Sequence, residues 1–130
     1  MSAALPDKAK EWFDGTEVVT LGTIGPDGRP QLSVLWVARD GDDVLLSTLE
    51  GRQKHKNLTA DPRATLLCYP VSNPYAYVEL RGTTTMTREG GRELIDALSQ
   101  QYTGGPYTAD GPDDVRVVIR LTADHVVFRG

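Results

Sequence analysis

Apolar and polar positions alternate along most of this chain in short runs separated by turn clusters, the pattern of half-buried strands. The run Val18-Val19-Thr20-Leu21-Gly22-Thr23-Ile24 predicts a strand within Glu17 to Gly25, and Pro26-Asp27-Gly28-Arg29 predicts the turn after it. Pro30 to Arg39 reads as the return strand of that hairpin, Asp40-Gly41-Asp42 as a second turn, and Asp43 to Thr48 as a third strand. A polar stretch from Glu50 to Asp61 interrupts the alternation and predicts a short helix from about Gln53 to Thr59. Asp61-Pro62 stops it, because a residue before proline is pushed out of the helical region. Arg63 to Val71 returns to strand, with Ala64, Leu66 and Cys68 on one face, and Ser72-Asn73-Pro74 turns into a long strand from Tyr75 to Thr87. Pro6 to Phe13 and Arg88 to Tyr102 read as helices, the second with Leu94, Ile95 and Leu98 on one side. Between that helix and two closing strands, Val115 to Leu121 and His125 to Phe128, lies the Gly/Pro-rich acidic stretch Thr103 to Asp114, expected to be a mobile surface loop and a candidate substrate lid.

Short strands dominate without a βαβ rhythm, so the expected fold is mainly β: an antiparallel sheet closed or nearly closed as a barrel, with two or three short helices, in a single domain over residues 1–130. Composition supports a folded chain, with 39% hydrophobic and 25% charged residues. No apolar run is long enough to cross a bilayer and Met1 to Pro6 lacks the features of a signal peptide, so no membrane association and a cytoplasmic location are expected. Cys68 is the only cysteine; it sits in an apolar run and reads as a buried, inert thiol.

Charge changes the picture at one place. A net charge of −4 argues against nucleic-acid binding, which uses a broad basic surface. Arg52, Lys54 and Lys56 nevertheless lie together with no acid among them, leaving −7 on the remainder of the chain. A local concentration of positive charge on an acidic protein suits a small anionic ligand.

Much catalytic chemistry is absent. His55 and His125 have no thiolate or helix-spaced histidine beside them, so no metal site is expected, and neither a G-x-S-x-G elbow nor a phosphate-binding glycine loop is present. No catalytic side chain is assigned, which fits hydride transfer, where a cofactor carries the reactive atom. The informative segment is Ser47 to Leu58: it leaves a strand and enters a short helix, so hydroxyls, exposed backbone N–H groups and three cations could converge on one anion. A solvated helix face remains the alternative, since Arg52 and Lys56 are four apart and Lys54 would point elsewhere on a regular helix.

Here the residues meet a known pattern. G-x-P-Q-x-S in Gly28 to Ser33, S-T-x-x-G-R-x-K-x-x-N-L from Ser47 to Leu58, D-P-R from Asp61 to Arg63 and Y-x-Y-V-x-L-x-G from Tyr75 to Gly82 resemble the pyridoxamine-phosphate-oxidase-like split β-barrel family, in particular its branch that uses the deazaflavin coenzyme F420. The likeness weakens after Arg88. The resemblance implies a homodimer with the cofactor in a groove between two barrels. The phosphate would lie on Ser47, Thr48, Arg52, Lys54 and Asn57, the ring system against Gln31, Leu32 and Ser33, and Tyr77 beside the cofactor of the opposite subunit. Gln31, Ser33, Leu35 and Val37 share one face of the hairpin strand and Leu32, Val34 and Trp36 the other, so both faces are substantially apolar, as at an interface, a cleft or a buried central strand. Trp36 itself reads as packing. The implied activity is hydride transfer from reduced F420 to a small conjugated acceptor; an FMN-dependent flavoenzyme of the same fold and a non-catalytic F420-binding protein are the alternatives.

Overall fold

The computed structural model describes residues 2–130. Among these residues the chain order is α1 (Asp7–Asp14), β1 (Val19–Ile24), β2 (Pro30–Leu35), β3 (Ala38–Asp40), β4 (Asp43–Leu49), α2 (Gln53–Ala60), β5 (Arg63–Cys68), β6 (Tyr77–Thr87), α3 (Gly91–Thr103) and β7 (Arg116–Arg129). Every strand pairing is antiparallel, in the order β2-β1-β5-β6-β7-β4-β3, and the seven strands curl into the expected split barrel. None of the described helices is long and apolar enough to cross a membrane.

Strand alternation decides what the curl encloses. Val19 and Leu21, Val44 and Leu46, Leu66 and Cys68, Val78 and Leu80, Ile119 and Leu121 all face inward and are buried, and Ala9, Trp12 and Phe13 of α1 with Leu58 of α2 complete the core. Each large apolar side chain so enclosed contributes roughly 1.5 to 3 kcal/mol. Burial also pushes the Cys68 thiol up to about 12, which keeps it protonated and unreactive. On the outside, α3 packs against β7 and β4 through Leu94, Ile95 and Leu98.

Three expectations about elements need correction. The return strand predicted over Pro30 to Arg39 breaks at Trp36–Val37, and its halves lie on opposite edges of the sheet, β2 against β1 and β3 against β4. Side chains from the end of α3 satisfy the backbone there: the Val37 N–H donates to the Tyr102 hydroxyl at 3.1 Å, that hydroxyl donates to the Glu17 carbonyl at 2.7 Å, and Gln101 Nε2 donates to the carbonyls of Gly15 at 2.7 Å and Val37 at 3.2 Å. Both backbone groups of Val37 are thereby paired where the chain leaves the ladder. The two closing strands are one, β7, because Asp124 is absorbed as a bulge: Arg81 pairs with His125 and Gly82 with Ala123. Finally, Arg88 and Glu89 lie in a turn ahead of α3, whose cap Gly90 has φ 79°.

The outer face of β2, β1 and β5 has no described helix over it. Leu32 and Val34 are 65% and 66% exposed there, and a depression of about 650 Å³ is lined by Gly22, Ile24, Pro30, Leu32, Thr65 and Leu67. Gln31, Ser33 and Leu35 point inward. The two-sided character read from the sequence is therefore an inward half-buried face and an outward apolar face open to solvent.

Candidate functional site

The site forms where β4 runs into α2. Gly51 adopts φ 93°, the left-handed region open to glycine, and its N–H donates to His55 Nδ1 at 3.1 Å. This turn leaves Arg52 as the residue capping α2, so the helical repeat begins at Gln53. Lys54 and Asn57 consequently face inward and are buried, while Arg52 and Lys56 stay exposed. Lys54 thus points away from Arg52 and Lys56, which stand four apart on the exposed side with the Lys56 N–H donating to the Arg52 carbonyl at 3.0 Å, as the helical spacing predicts.

Arg52 lines a cavity of about 360 Å³ whose other walls include Val34, Leu35, Trp36, Ser47, Tyr107 and Arg116. Ser47 and Thr48, grouped together in the sequence, point to opposite faces of β4. Ser47 faces the cavity, whereas Thr48 is 1% exposed on the inner face and its hydroxyl has no partner. Alternation explains Arg116 in the same way: Leu49 pairs with Arg116 across β4 and β7, so Arg116 and Ser47 share the outer face, with Arg116 Nη1 3.4 Å from Ser47 Oγ.

Lys54 is 7% exposed, and none of the ion pairs among the described residues includes it. Burial, and then the charges of Arg52 and Arg116, hold its ammonium pKa below the usual lysine value. Two cations thus press on a third that has lost most of its hydration. Glu50, the nearest acid in sequence, is taken by Arg88 through two hydrogen bonds of 2.7 and 2.6 Å, which also hold its carboxyl below the usual range. Among the described residues, the one carboxylate paired with this cluster is Asp110, which accepts from Arg116 Nε at 2.7 Å and Nη2 at 2.8 Å. Three cations against one acid make a positive corner suited to a phosphate.

The remaining expected residues divide. Asn57 is buried with both ends of its amide engaged: it accepts from Gln53 Nε2 at 2.7 Å and donates to Thr23 Oγ1 at 3.0 Å, which in turn donates to Gln31 Oε1 at 2.9 Å. This chain of side chains ties α2 to the β1–β2 hairpin, so Asn57 and Gln31 help to hold the positive corner in place. Ser33 faces inward beside them with an unpartnered hydroxyl. Leu32 lies on the outer sheet face, and Tyr77 on the outward face of β6; neither lines the cavity of its own chain.

Arg116, Asp110 and Tyr107 were not anticipated. The loop read as mobile is pinned: Asp110 binds Arg116 and also Arg92, at 2.9 Å, Tyr107 accepts from Arg116 Nη2 at 2.9 Å, and the Tyr107 ring lies 4.9 Å from the guanidinium. Trp36 is more than packing, since it stacks on Tyr102 at 5.4 Å, meets Tyr107 edge-on at 6.2 Å and forms part of the cavity wall. The available signal was a cation opening the apolar run Arg116-Val117-Val118-Ile119, two positions after an acidic loop.

Comparison with known proteins adds context to this geometry. The model for pyridoxamine 5'-phosphate oxidase matches residues 5–130. A solved structure described as an F420 reductase superposes with a TM-score of 0.83 at 28% identity, covering 95% of this chain and 98% of that one. A conserved hypothetical protein from Mycobacterium tuberculosis gives a TM-score of 0.77 at 27% identity, covering 96% and 84%. General stress protein 26 from Bacillus anthracis, at 14% identity and a TM-score of 0.72 over 94% and 91%, shares the fold.

Proposed function

This chain belongs to the pyridoxamine 5'-phosphate oxidase family, and we propose that it is an oxidoreductase which holds coenzyme F420 by its phosphate and passes a hydride to a small conjugated acceptor. The observation that carries the proposal is that Arg52, Arg116 and Ser47 line one cavity with Val34, Trp36 and Tyr107, while the buried Lys54 adds its charge in the field of the two arginines without lining the cavity itself. A phosphate fits that donor set: Arg52 supplies a planar N–H fork, Arg116 the Nη1 donor that Asp110 and Tyr107 leave over, Ser47 a hydroxyl, and Lys54 a charge lacking a counter-ion. The likeness to a protein described as an F420 reductase favours the deazaflavin. When bound, the reduced coenzyme supplies the hydride. The chain's own residues bind the phosphate, orient what lies beyond it against an apolar and aromatic wall, and exclude water there.

FMN is the second reading, because it also carries a phosphate and the family name belongs to a flavin-type oxidase. Fluorescence titration with each cofactor, followed by absorption spectra after desalting, separates the two. Retention of F420 with weaker FMN binding is expected; tight FMN and no F420 binding would reverse the assignment. Consumption of reduced coenzyme on adding an acceptor then distinguishes a reductase from a carrier.

We further propose that the working form is a homodimer. A cavity of about 360 Å³ is at the small end for a cofactor-sized ligand, so one chain alone encloses only part of it. The uncovered face carrying Leu32 and Val34 offers a second copy an apolar seat, and in that arrangement Leu32 and the outward Tyr77 would reach the cofactor from the partner side. Sedimentation equilibrium at micromolar concentration should give twice the chain mass. A monomer under those conditions would remove this part of the proposal.

A further inference from the structure

We infer that Asp110 is a positioning residue for the anion site, acting through Arg116, an inference that rests on the phosphate reading above. The loop between α3 and β7 has no regular structure, and Thr108, Ala109, Gly111, Pro112 and Asp113 are exposed. Asp110 departs from its neighbours: its side chain is 5% exposed and that of Arg116 is 7% exposed. The carboxylate takes the Nε–Nη2 edge of the guanidinium as a fork, at 2.7 and 2.8 Å, while the Tyr107 hydroxyl accepts a second bond from Nη2 at 2.9 Å. Arg92 braces the carboxylate from α3 at 2.9 Å. With one edge held, the donor left over is Nη1, the nitrogen beside Ser47 Oγ in the cavity. A buried guanidinium held in this way loses little orientational freedom when it meets an anion.

Charge sharpens the inference. A carboxylate next to an anion site opposes the ligand by Coulomb's law, so removing it should tighten binding if charge were its whole effect. If instead it aims Arg116, removing it weakens binding in spite of the added positive charge. The two roles differ in sign.

The test uses inorganic phosphate as the probe, titrated by phosphorus NMR against the parent, Asp110→Asn, Arg116→Gln and the double variant, each first shown to fold by circular dichroism. Asp110→Asn should weaken binding by about threefold to tenfold, and adding it to Arg116→Gln should change nothing further. Asp110→Glu keeps the charge but displaces the carboxylate by one methylene, and should also weaken binding, an outcome that charge alone does not give. If the parent binds phosphate and Asp110→Asn binds equally or more tightly, or if the two substitutions add independently, the positioning role is overturned while the anion site stands. A parent that binds no phosphate removes both.

Discussion

Replacing Lys54 with methionine is expected to raise the thermal stability of the ligand-free protein and to weaken F420 binding by about tenfold to a hundredfold. The two effects have one cause. Lys54 is buried without an ion-pair partner and lies within the field of Arg52 and Arg116. An apolar chain of similar length removes that penalty, and we expect a gain of about 1 kcal/mol or more. The pH dependence has a definite sign. Because burial and the two neighbouring arginines hold the native pKa of Lys54 below the usual lysine value, its charged form is disfavoured by folding throughout neutral pH. That cost fades only as pH climbs from the native pKa towards the unfolded one. The stability gap between Lys54→Met and the parent should therefore stay constant near neutrality and narrow in alkaline solution. Thermal unfolding from about pH 6 to about pH 10 checks this. A lower melting temperature together with unchanged cofactor affinity would remove Lys54 from the site.

Gly82→Ala should destabilise the fold by on the order of 3 kcal/mol or more, the upper end of what overpacking costs. A methyl group at Gly82 would overlap the Thr122 carbonyl oxygen and sit 2.8 Å from Ala123 Cα. Both are backbone atoms at the β6–β7 bulge, so no flexible side chain can move aside. Gly105→Ala is the control, because its added methyl finds only Thr103 Oγ1 at 3.9 Å. Urea unfolding should separate the two variants clearly. If Gly82→Ala unfolds like the parent, the close approach of β6 to β7 is misplaced.

These two residues also mark what was legible in the sequence. Strand alternation around Leu21, Leu66, Val78 and Ile119 and the turn at Pro26 to Arg29 are local signals, and they located the sheet and most of its elements. The segment from Ser47 to Asn57 was legible as a basic strand-to-helix junction. Which of its cations is buried was not, because that depends on which side of α2 packs against β1 and β4, a contact the segment itself does not announce. The division at Trp36–Val37 depends on hydrogen bonds from Tyr102 and Gln101, more than sixty positions away, and carries no local mark. Arg116 stayed hidden for a related reason: its place in the site comes from pairing β7 with β4, a long-range contact that neither segment announces.

The division at Trp36–Val37 also bears on how the chain is made. Two adjoining residues connect strands that end on opposite edges of the sheet, so β2 and β3 can be held in place only when the sheet between them exists. Besides β3, β4 finds its other neighbour in β7, and the side chains that secure Val37 come from the end of α3. On a ribosome, where the amino-terminal part emerges first, β3 and β4 can form only a small hairpin until the last strand has been synthesised. The closing step of folding is therefore late and long-range, and before it the nascent chain presents the pairing edge of β4 to its surroundings.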